Sequence, residues 1–465
     1  MQPHTWTLTE TMRALQRKDI SSVELTEHYL RRLTRHNASL NAFLSLSDTI
    51  LEQAKAVDAR RTRGEEHRPL AGAPIAVKDL LDTAHLYTTY GGKHYVNHLP
   101  RATATAVSRL EQAGAIVLGK TNLHEYAYGT TTENPHFGNA RNPWNTSKIA
   151  GGSSGGSSVA LAAGLSVAAL GTDTGGSIRI PAALCGHVGF KPTHGLVSTY
   201  GVFPLAPSLD HVGPMTRSVA DARLMMALLA GPDPNDANTL HRPVRTFERG
   251  RTPTPVRLGV PTGFFFERCH PSVLQVMHAA LQKLRDNGVL FEEVDIPMMS
   301  DVPEMQRRTI ASEAAAVHAS LLAAHPEVYG EDVRRRLEAG ADVTGAQYIE
   351  AQRLRRDFVQ SLTTVFDRVQ AVVTPTVGLP ATDIGQWKAH VKSLEVNVRA
   401  HLTRLTNPWN LSGLPAITLP CGTTIDGLPV GLQLVGWRNT DARLLDIAES
   451  IEDVLGKSTL APAYR

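Results

Sequence analysis

Two glycine–serine loops hold the residues best suited to chemistry. One is Gly151-Gly152-Ser153-Ser154-Gly155-Gly156; the other is Thr172-Asp173-Thr174-Gly175-Gly176-Ser177, with a small apolar segment between them. Glycine tolerates positive φ and has no side chain, so such loops let backbone approach backbone or ligand closely. A serine placed after glycines can attack a carbonyl while neighbouring N–H groups converge on the oxyanion that forms. The pair reads as one hydrolytic site folded from two loops. A third candidate lies upstream, where Lys78 interrupts the apolar, strand-like run 73–81. Most such lysines end a strand and reach solvent. A desolvated one gives up its proton at lower pH and can act as a base.

Other uses of these loops fit less well. A flexible linker would not run into the small, apolar, helix-compatible segment 157–165 and the strand-like 167–170. A phosphate-binding loop needs Lys-Ser or Lys-Thr after its last glycine, whereas Gly156 is followed by Ser157-Ser158. Residues 151–155 match the G-x-S-x-G elbow, but that turn follows a strand, and Asn142-Pro143-Trp144-Asn145 is loop chemistry. His124-Glu125 opens like a zinc-protease motif, yet Tyr128 stands where its second histidine belongs.

These residues and their order resemble the amidase signature family. Lys78 in Ala76-Val77-Lys78-Asp79-Leu80-Leu81, Ser153 in the first loop and Ser177 in the second match its motifs. The similarity extends through residues 119–122, 142–144, 189–193, 210–214, 407–415 and 427–431. The resemblance implies a triad: Ser177 as nucleophile, Lys78 as base, and Ser153 between them after a cis Gly152–Ser153 peptide. It also implies an oxyanion hole from the backbone N–H groups of Thr174, Gly175, Gly176 and Ser177, an acyl-enzyme hydrolysed by water, and no metal or cofactor. The chemistry is coherent. A serine hydroxyl needs a neighbouring base, lysine is a base only when neutral, and a hydroxyl can donate and accept at once, so Ser153 can relay a proton both ways. Asp173 and Arg179 flank the nucleophile and are expected to orient it. Tyr126, Tyr128 and Phe137 are candidates to line the acyl pocket, with core packing an equally good account of each.

Two functions follow from the resemblance. The first is a stand-alone amidase that hydrolyses the C–N bond of a small-molecule aryl or alkyl amide, with carbamates and esters within reach. The second is the A subunit of a glutamyl-tRNA amidotransferase, which releases ammonia from glutamine inside a complex. The Asp-Gly-Ile-Arg-Tyr-Gly stretch expected of the second is absent; Ala323-Ala324-His325-Pro326-Glu327-Val328-Tyr329-Gly330 stands instead. Arg336, amid charged neighbours, reads as a solvated helix residue rather than the carboxylate-binding arginine of such a subunit. The sequence therefore favours the first function, with a small-molecule substrate, no nucleic acid, no membrane, and a homodimer left open.

Composition agrees with a cytoplasmic enzyme. Lys+Arg 47 against Asp+Glu 44 leaves +3 over 465 residues, too balanced to suggest a nucleic-acid or membrane surface. Cys185, Cys269 and Cys421 are odd in number and far apart, without disulfide or metal spacing. The first residues lack the charged and apolar parts of a signal peptide, and no apolar run reaches about 18 residues.

Residues 8–63 read as helical, with a capping box at Ser21–Glu24 and Leu25, Tyr29 and Leu33 on one face. From 70 to 230 strands and helices alternate, which argues for an α/β sheet. Residues 232–255 are polar and proline-rich, a crossing segment. Strands are expected again at 256–260, 371–375, 416–420 and 429–435, the last two joined by an Asp426-Gly427 hairpin turn. The expected fold is one large mixed β-sheet covered by α-helices on both faces. It comprises one domain, 1–465, with a helical segment 1–69, the signature core 70–230, and a part 256–465 that completes the sheet. A helical, substrate-facing insertion is expected at about 303–370.

Overall fold

The computed structural model describes residues 2–240, 246–250 and 254–465, organised around one mixed sheet of eleven strands. In chain order these are β1 (Phe43–Leu46), β2 (Pro74–Lys78), β3 (Ile116–Thr121), β4 (Ala168–Thr172), β5 (Val188–Lys191) and β6 (Val212–Thr216). The remainder are β7 (Arg257–Pro261), β8 (Leu290–Val294), β9 (Ala371–Pro375), β10 (Ala416–Thr423) and β11 (Pro429–Val435). Across the sheet they run β1-β3-β2-β4-β6-β5-β10-β11-β9-β7-β8. β2 is parallel to both β3 and β4, and β9, β7 and β8 are parallel; the other pairs are antiparallel.

β2 and β4 are buried along their whole lengths, as short apolar runs covered on both faces must be. Helices Gly155–Ala162 and Arg179–Cys185 pack on each other. Asp441–Leu455 packs on Val219–Leu229 and on Pro271–Asp286. Arg179–Cys185 touches β10 and β11, and so do Pro271–Asp286 and Asp441–Leu455, so the two helix groups sandwich the sheet. Among the described residues, no helix is long and apolar enough to cross a membrane.

The parallel pairing of β2 with β4 positions the chemistry. Val77 lies opposite Leu170, so Lys78 at the end of β2 and Thr172 at the end of β4 emerge at one edge. Crevices outside the carboxyl ends of such strands are the usual ligand sites of α/β sheets. The second glycine–serine loop leaves β4 at this edge. The first enters helix Gly155–Ala162, whose start is pressed against the β3 turn. Gly156 N–H donates to Asn122 O at 2.9 Å, and a Cβ there would lie 2.4 Å from Ala42 O and from Asn122 N.

Most expected elements are present. The Ser21–Glu24 capping box forms in both directions, with Ser21 N–H to Glu24 Oε2 at 2.8 Å and Glu24 N–H to Ser21 Oγ at 3.1 Å. Leu25, Tyr29 and Leu33 are buried on that helix. One expectation fails: residues 8–63 are not all helical. Asn41 turns left-handed at φ 51° and ends the second helix, and the next residues add β1 to the sheet beside β3. No strand leads directly into Gly151. Residues 241–245 and 251–253 of the crossing segment lie outside the described residues. Residues 303–370 fold mainly into helices Val302–Ala324, Glu331–Ala341 and Gly345–Ser361.

Gly156→Ala is expected to destabilise the chain by about 2 kcal/mol or more, because backbone on two sides would have to move. A lower urea midpoint with an unchanged far-UV spectrum is the expected observation; an unchanged midpoint would show that this contact yields freely.

Candidate active site

Lys78 is fully buried, and its Nζ donates to Ser153 Oγ at 2.8 Å and to Thr172 Oγ1 at 2.6 Å. Among the described residues no carboxylate forms an ion pair with it. Burial pulls its amine down to about 7, and the more distant Asp173 and Asp210 only partly oppose this. Ser153 is also fully buried and follows a cis peptide bond from Gly152. Ser177 sits at the wall of a cavity, 6 % exposed. Among the described residues its hydroxyl makes no hydrogen bond. Its carbonyl accepts from Ser154 N–H at 3.2 Å, which ties the two loops together.

Asp173 anchors the second loop. Its carboxylate accepts from Gly176 N–H at 2.8 Å, Ile178 N–H at 3.1 Å, Arg179 Nε at 3.0 Å and Asn410 Nδ2 at 2.8 Å. Burial raises this carboxyl, but Arg179 and the other donors outweigh it and hold it at about 2. Arg179 Nη1 reaches on to Gln433 Oε1 at 2.7 Å, so the loop is fastened to β11. The loop carbonyls are pinned as well. Thr174 O accepts from Gln306 Nε2 at 3.1 Å, Gly175 O from Thr406 Oγ1 at 2.6 Å and Gly176 O from Ile180 N–H at 2.7 Å. In a trans peptide the N–H points opposite to its carbonyl, so pinning the carbonyls also fixes the N–H directions.

This geometry departs from the expected four-donor oxyanion hole. The N–H of Gly176 is already spent on Asp173, which leaves those of Thr174, Gly175 and Ser177. Gly176 has φ +129°, and a Cβ there would lie 2.3 Å from Thr406 Oγ1, so no other residue fits.

The cavity beside Ser177 has a volume of about 1050 Å³. Of the three aromatic residues expected to line it, only Tyr128 does. Tyr126 and Ala127 take positive φ, and Tyr126 packs instead against Tyr95, Phe203, His318 and Tyr329. Phe137 lies outside the wall, in edge contact with His136. Arg336 is not a solvated helix residue: its side chain is only 13 % exposed and faces the cavity. Its i,i+4 partner Asp332 gave it the look of a surface pair. Gln306, Asn407, Arg399 and Arg404 also line the cavity, and sequence reasoning missed them. Asn407 lies in a stretch that the resemblance had marked; Gln306 and Arg399 carried no local signal.

The profile of the amidase family matches residues 24–445. The chain belongs to the amidase family. It is an enzyme of the type that cleaves carbon–nitrogen bonds. It is 38 % identical over 489 residues to the A subunit of glutamyl-tRNA(Gln) amidotransferase from Roseiflexus sp. (strain RS-1), covering 99 % of this chain and 98 % of that one. The crystal structure of the corresponding A subunit from Thermotoga maritima superposes with a TM-score of 0.84 at 33 % identity, covering 97 % of this chain and 95 % of that one. A chain of an inhibitor-bound vestigial protein complex, described as revealing the origins of an s-triazine catabolic enzyme, superposes with a TM-score of 0.93 at 32 % identity, covering 98 % of this chain and 100 % of that one.

The amidotransferase relatives overturn the expectation of a stand-alone hydrolase of small-molecule amides with no nucleic acid in its biology. Proteins 36–38 % identical over nearly the whole chain are subunits of an amidotransferase named for glutamyl-tRNA(Gln). The missing middle-third stretch was too local a feature to outweigh similarity across the full length.

Asp173→Asn is expected to leave Arg179 buried without its counter-charge and to cost about 3–5 kcal/mol. Chemical denaturation should show this loss. A variant as stable as the parent would mean that Asp173 does not anchor the loop.

Proposed function

We propose that this chain is the amide-cleaving A subunit of a glutamyl-tRNA(Gln) amidotransferase complex, releasing ammonia from glutamine through an acyl-enzyme on Ser177. The observation that carries the proposal is the 36–38 % identity to such A subunits over 99 % of the chain. The contact between Lys78 and Ser153 supports the chemistry. Neutral Lys78 accepts the Ser153 proton, while Ser153 takes that of Ser177 as it attacks the amide carbonyl. The developing oxyanion meets the N–H groups of Thr174, Gly175 and Ser177. The proton returns through Ser153 to the leaving nitrogen, ammonia departs, and water hydrolyses the glutamyl ester. Arg336 is suited to the α-carboxylate of glutamine. We take the chain as one domain working in the cytoplasm, with the helices of 303–370 facing the substrate; the cavity residues around Gln306 and Arg336 support that role.

Ammonia release from glutamine should be measured for the purified chain, alone and with glutamyl-tRNA and the other members of the complex. Turnover that rises in the complex is expected; no glutamine hydrolysis in the complex, with Ser177 still reactive toward a fluorophosphonate, would reject the proposal. The label should fall on Ser177 and vanish in Ser177→Ala, and a label on Ser153 would reverse their roles. Lys78→Ala should lower kcat by about 10²–10⁴. Because only neutral Lys78 serves as base and burial sets its amine at about 7, the rate should fall as pH drops below about 7. A flat profile through that range would remove Lys78 as the base.

A further inference from the structure

Asp210 is a buried carboxylate with no part in the proton relay. Its Oδ1 accepts from Thr174 Oγ1 at 2.5 Å and its Oδ2 from Leu205 N–H at 2.9 Å, and Ala206 N–H is shared between them at 3.2 and 3.1 Å. Both oxygens accept, which favours the ionised form over the acid. Burial pushes its carboxyl up from the usual range, and these donors oppose that. Among the described residues no cation forms an ion pair with it. The contact with Thr174 follows from the backbone. Asp173 N–H donates to His211 O at 2.9 Å and His211 N–H to Asp173 O at 3.1 Å, so Thr174 and Asp210 are the next residues along the same antiparallel pairing.

Thr174 is therefore held at three points. Asp173 O, just ahead of it, accepts from Asn410 Nδ2 at 3.0 Å, its own carbonyl accepts from Gln306, and its hydroxyl is held by Asp210. The first fixes the peptide that carries the Thr174 N–H. The third joins the residue to the 205–206 turn, and Thr174 and Leu205 both line the cavity. The charge of Asp210 has a second effect. Asp173 and Asp210 are the carboxylates whose field opposes burial at Lys78. Arg179 takes up the charge of Asp173, whereas that of Asp210 is left over. The other charged groups near this segment do not cancel it. Glu313, of the same sign, bonds Ser208 N–H at 2.9 Å, and Arg355 bonds Ser208 O at 2.9 Å. Lys191 bonds Leu414 O at 2.5 Å, and burial holds His211 well below its ordinary range and so neutral. When Lys78 takes the Ser153 proton, a cation forms where water does not solvate it. An uncancelled carboxylate nearby stabilises that cation.

We propose that Asp210 is a positioning residue of the oxyanion hole, acting through the Thr174 hydroxyl, whose own charge also stabilises the Lys78 ammonium formed during attack. The proposal rests on the relay from Ser177 through Ser153 to Lys78 and is independent of which amide is cleaved. One carboxylate thereby serves both charges that develop together: it aims a donor at the oxyanion and faces the cation on the base.

The second-order rate at which a fluorophosphonate labels Ser177 in the full-length chain, followed against pH, tests this. The phosphonyl oxygen meets the same N–H groups, and the attack needs the same base. Asp210→Asn should be labelled about tenfold or more slowly on the alkaline side. Its acid limb should also move to lower pH, because Lys78 loses its proton more readily once the carboxylate is gone. Thr174→Val should be slowed to a similar degree with its acid limb where the parent has it, and Thr174→Ser should recover most of that loss. A role in folding alone would lower stability and leave the limb in place. An unmoved limb in Asp210→Asn, or labelling of Thr174→Val at the parent rate, would overturn the proposal. If the asparagine variant does not fold, the threonine pair decides, and equal labelling of the valine and serine variants would overturn it. A parent profile with no acid limb would reject the Lys78 relay and this proposal with it. The expected labelling results, found alongside no ammonia release from glutamine in the complex, would support the role of Asp210 and refute the glutamine-cleaving function.

Discussion

The site depends on an amine held in the protein interior with only hydroxyls to bond. A buried ammonium without a partner is so costly that the group gives up its proton instead. Among the described residues the interior holds two other buried lysines for comparison. Lys120 bonds the carbonyl of Leu81 and has Asp79 Oδ1 at 3.9 Å, while Lys191 bonds Leu414 O at 2.5 Å. Lys120 also bonds Thr83 Oγ1, but Lys78 differs from both because hydroxyls, those of Ser153 and Thr172, are all it bonds among the described residues, and they can serve the neutral amine as well as the charged one. The parallel alignment of β2 and β4 delivers all of this, since it sets the ends of the two strands side by side.

A neighbouring carboxylate could have undone that arrangement. Asp173 follows directly after β4, and an ion pair with Lys78 would have kept the amine charged. Arg179 takes the carboxylate instead, through Nε at 3.0 Å and Nη2 at 2.9 Å. One buried ion pair thus serves two ends. It fixes the peptide groups of the loop, and it diverts negative charge from the base. Asn410 and Gln433 complete the enclosure and draw the C-terminal strands into the support of a loop formed far earlier in the chain.

Much of this was legible in the residues. The lysine and two serines stand out because each lies in a run whose glycines or strand-like neighbours would be odd without a purpose, and the sheet follows from the alternation of elements. What escaped notice depends on long-range approach. Arg336 and Asp332 have the spacing of an exposed helical pair, and only the packing of Tyr128 and the helix at Arg399 shows that this face is covered. Tyr126 and Tyr128 look equivalent in sequence, and the left-handed turn at Tyr126 and Ala127 sends them to different places. The Gly176 N–H looked free because a local motif does not show that Asp173, three residues earlier, curls back to claim it. The short strand β1 was hidden because four residues carry little periodic signal.

Part of the cavity wall comes from a different stretch of the chain than the reacting groups. Lys78, Ser153 and Ser177 belong to strands and loops before residue 180, whereas Gln306, Arg336, Arg399 and Asn407 come from helices and turns after residue 300. An exchange at Arg399 touches neither the strand ends nor the Asp173 anchor. At Arg399 the wall is therefore mutable apart from the chemistry, whereas Gln306, which also holds Thr174 O, serves both, so a lineage built on this scaffold can change its diet at some wall positions while its chemistry stays the same.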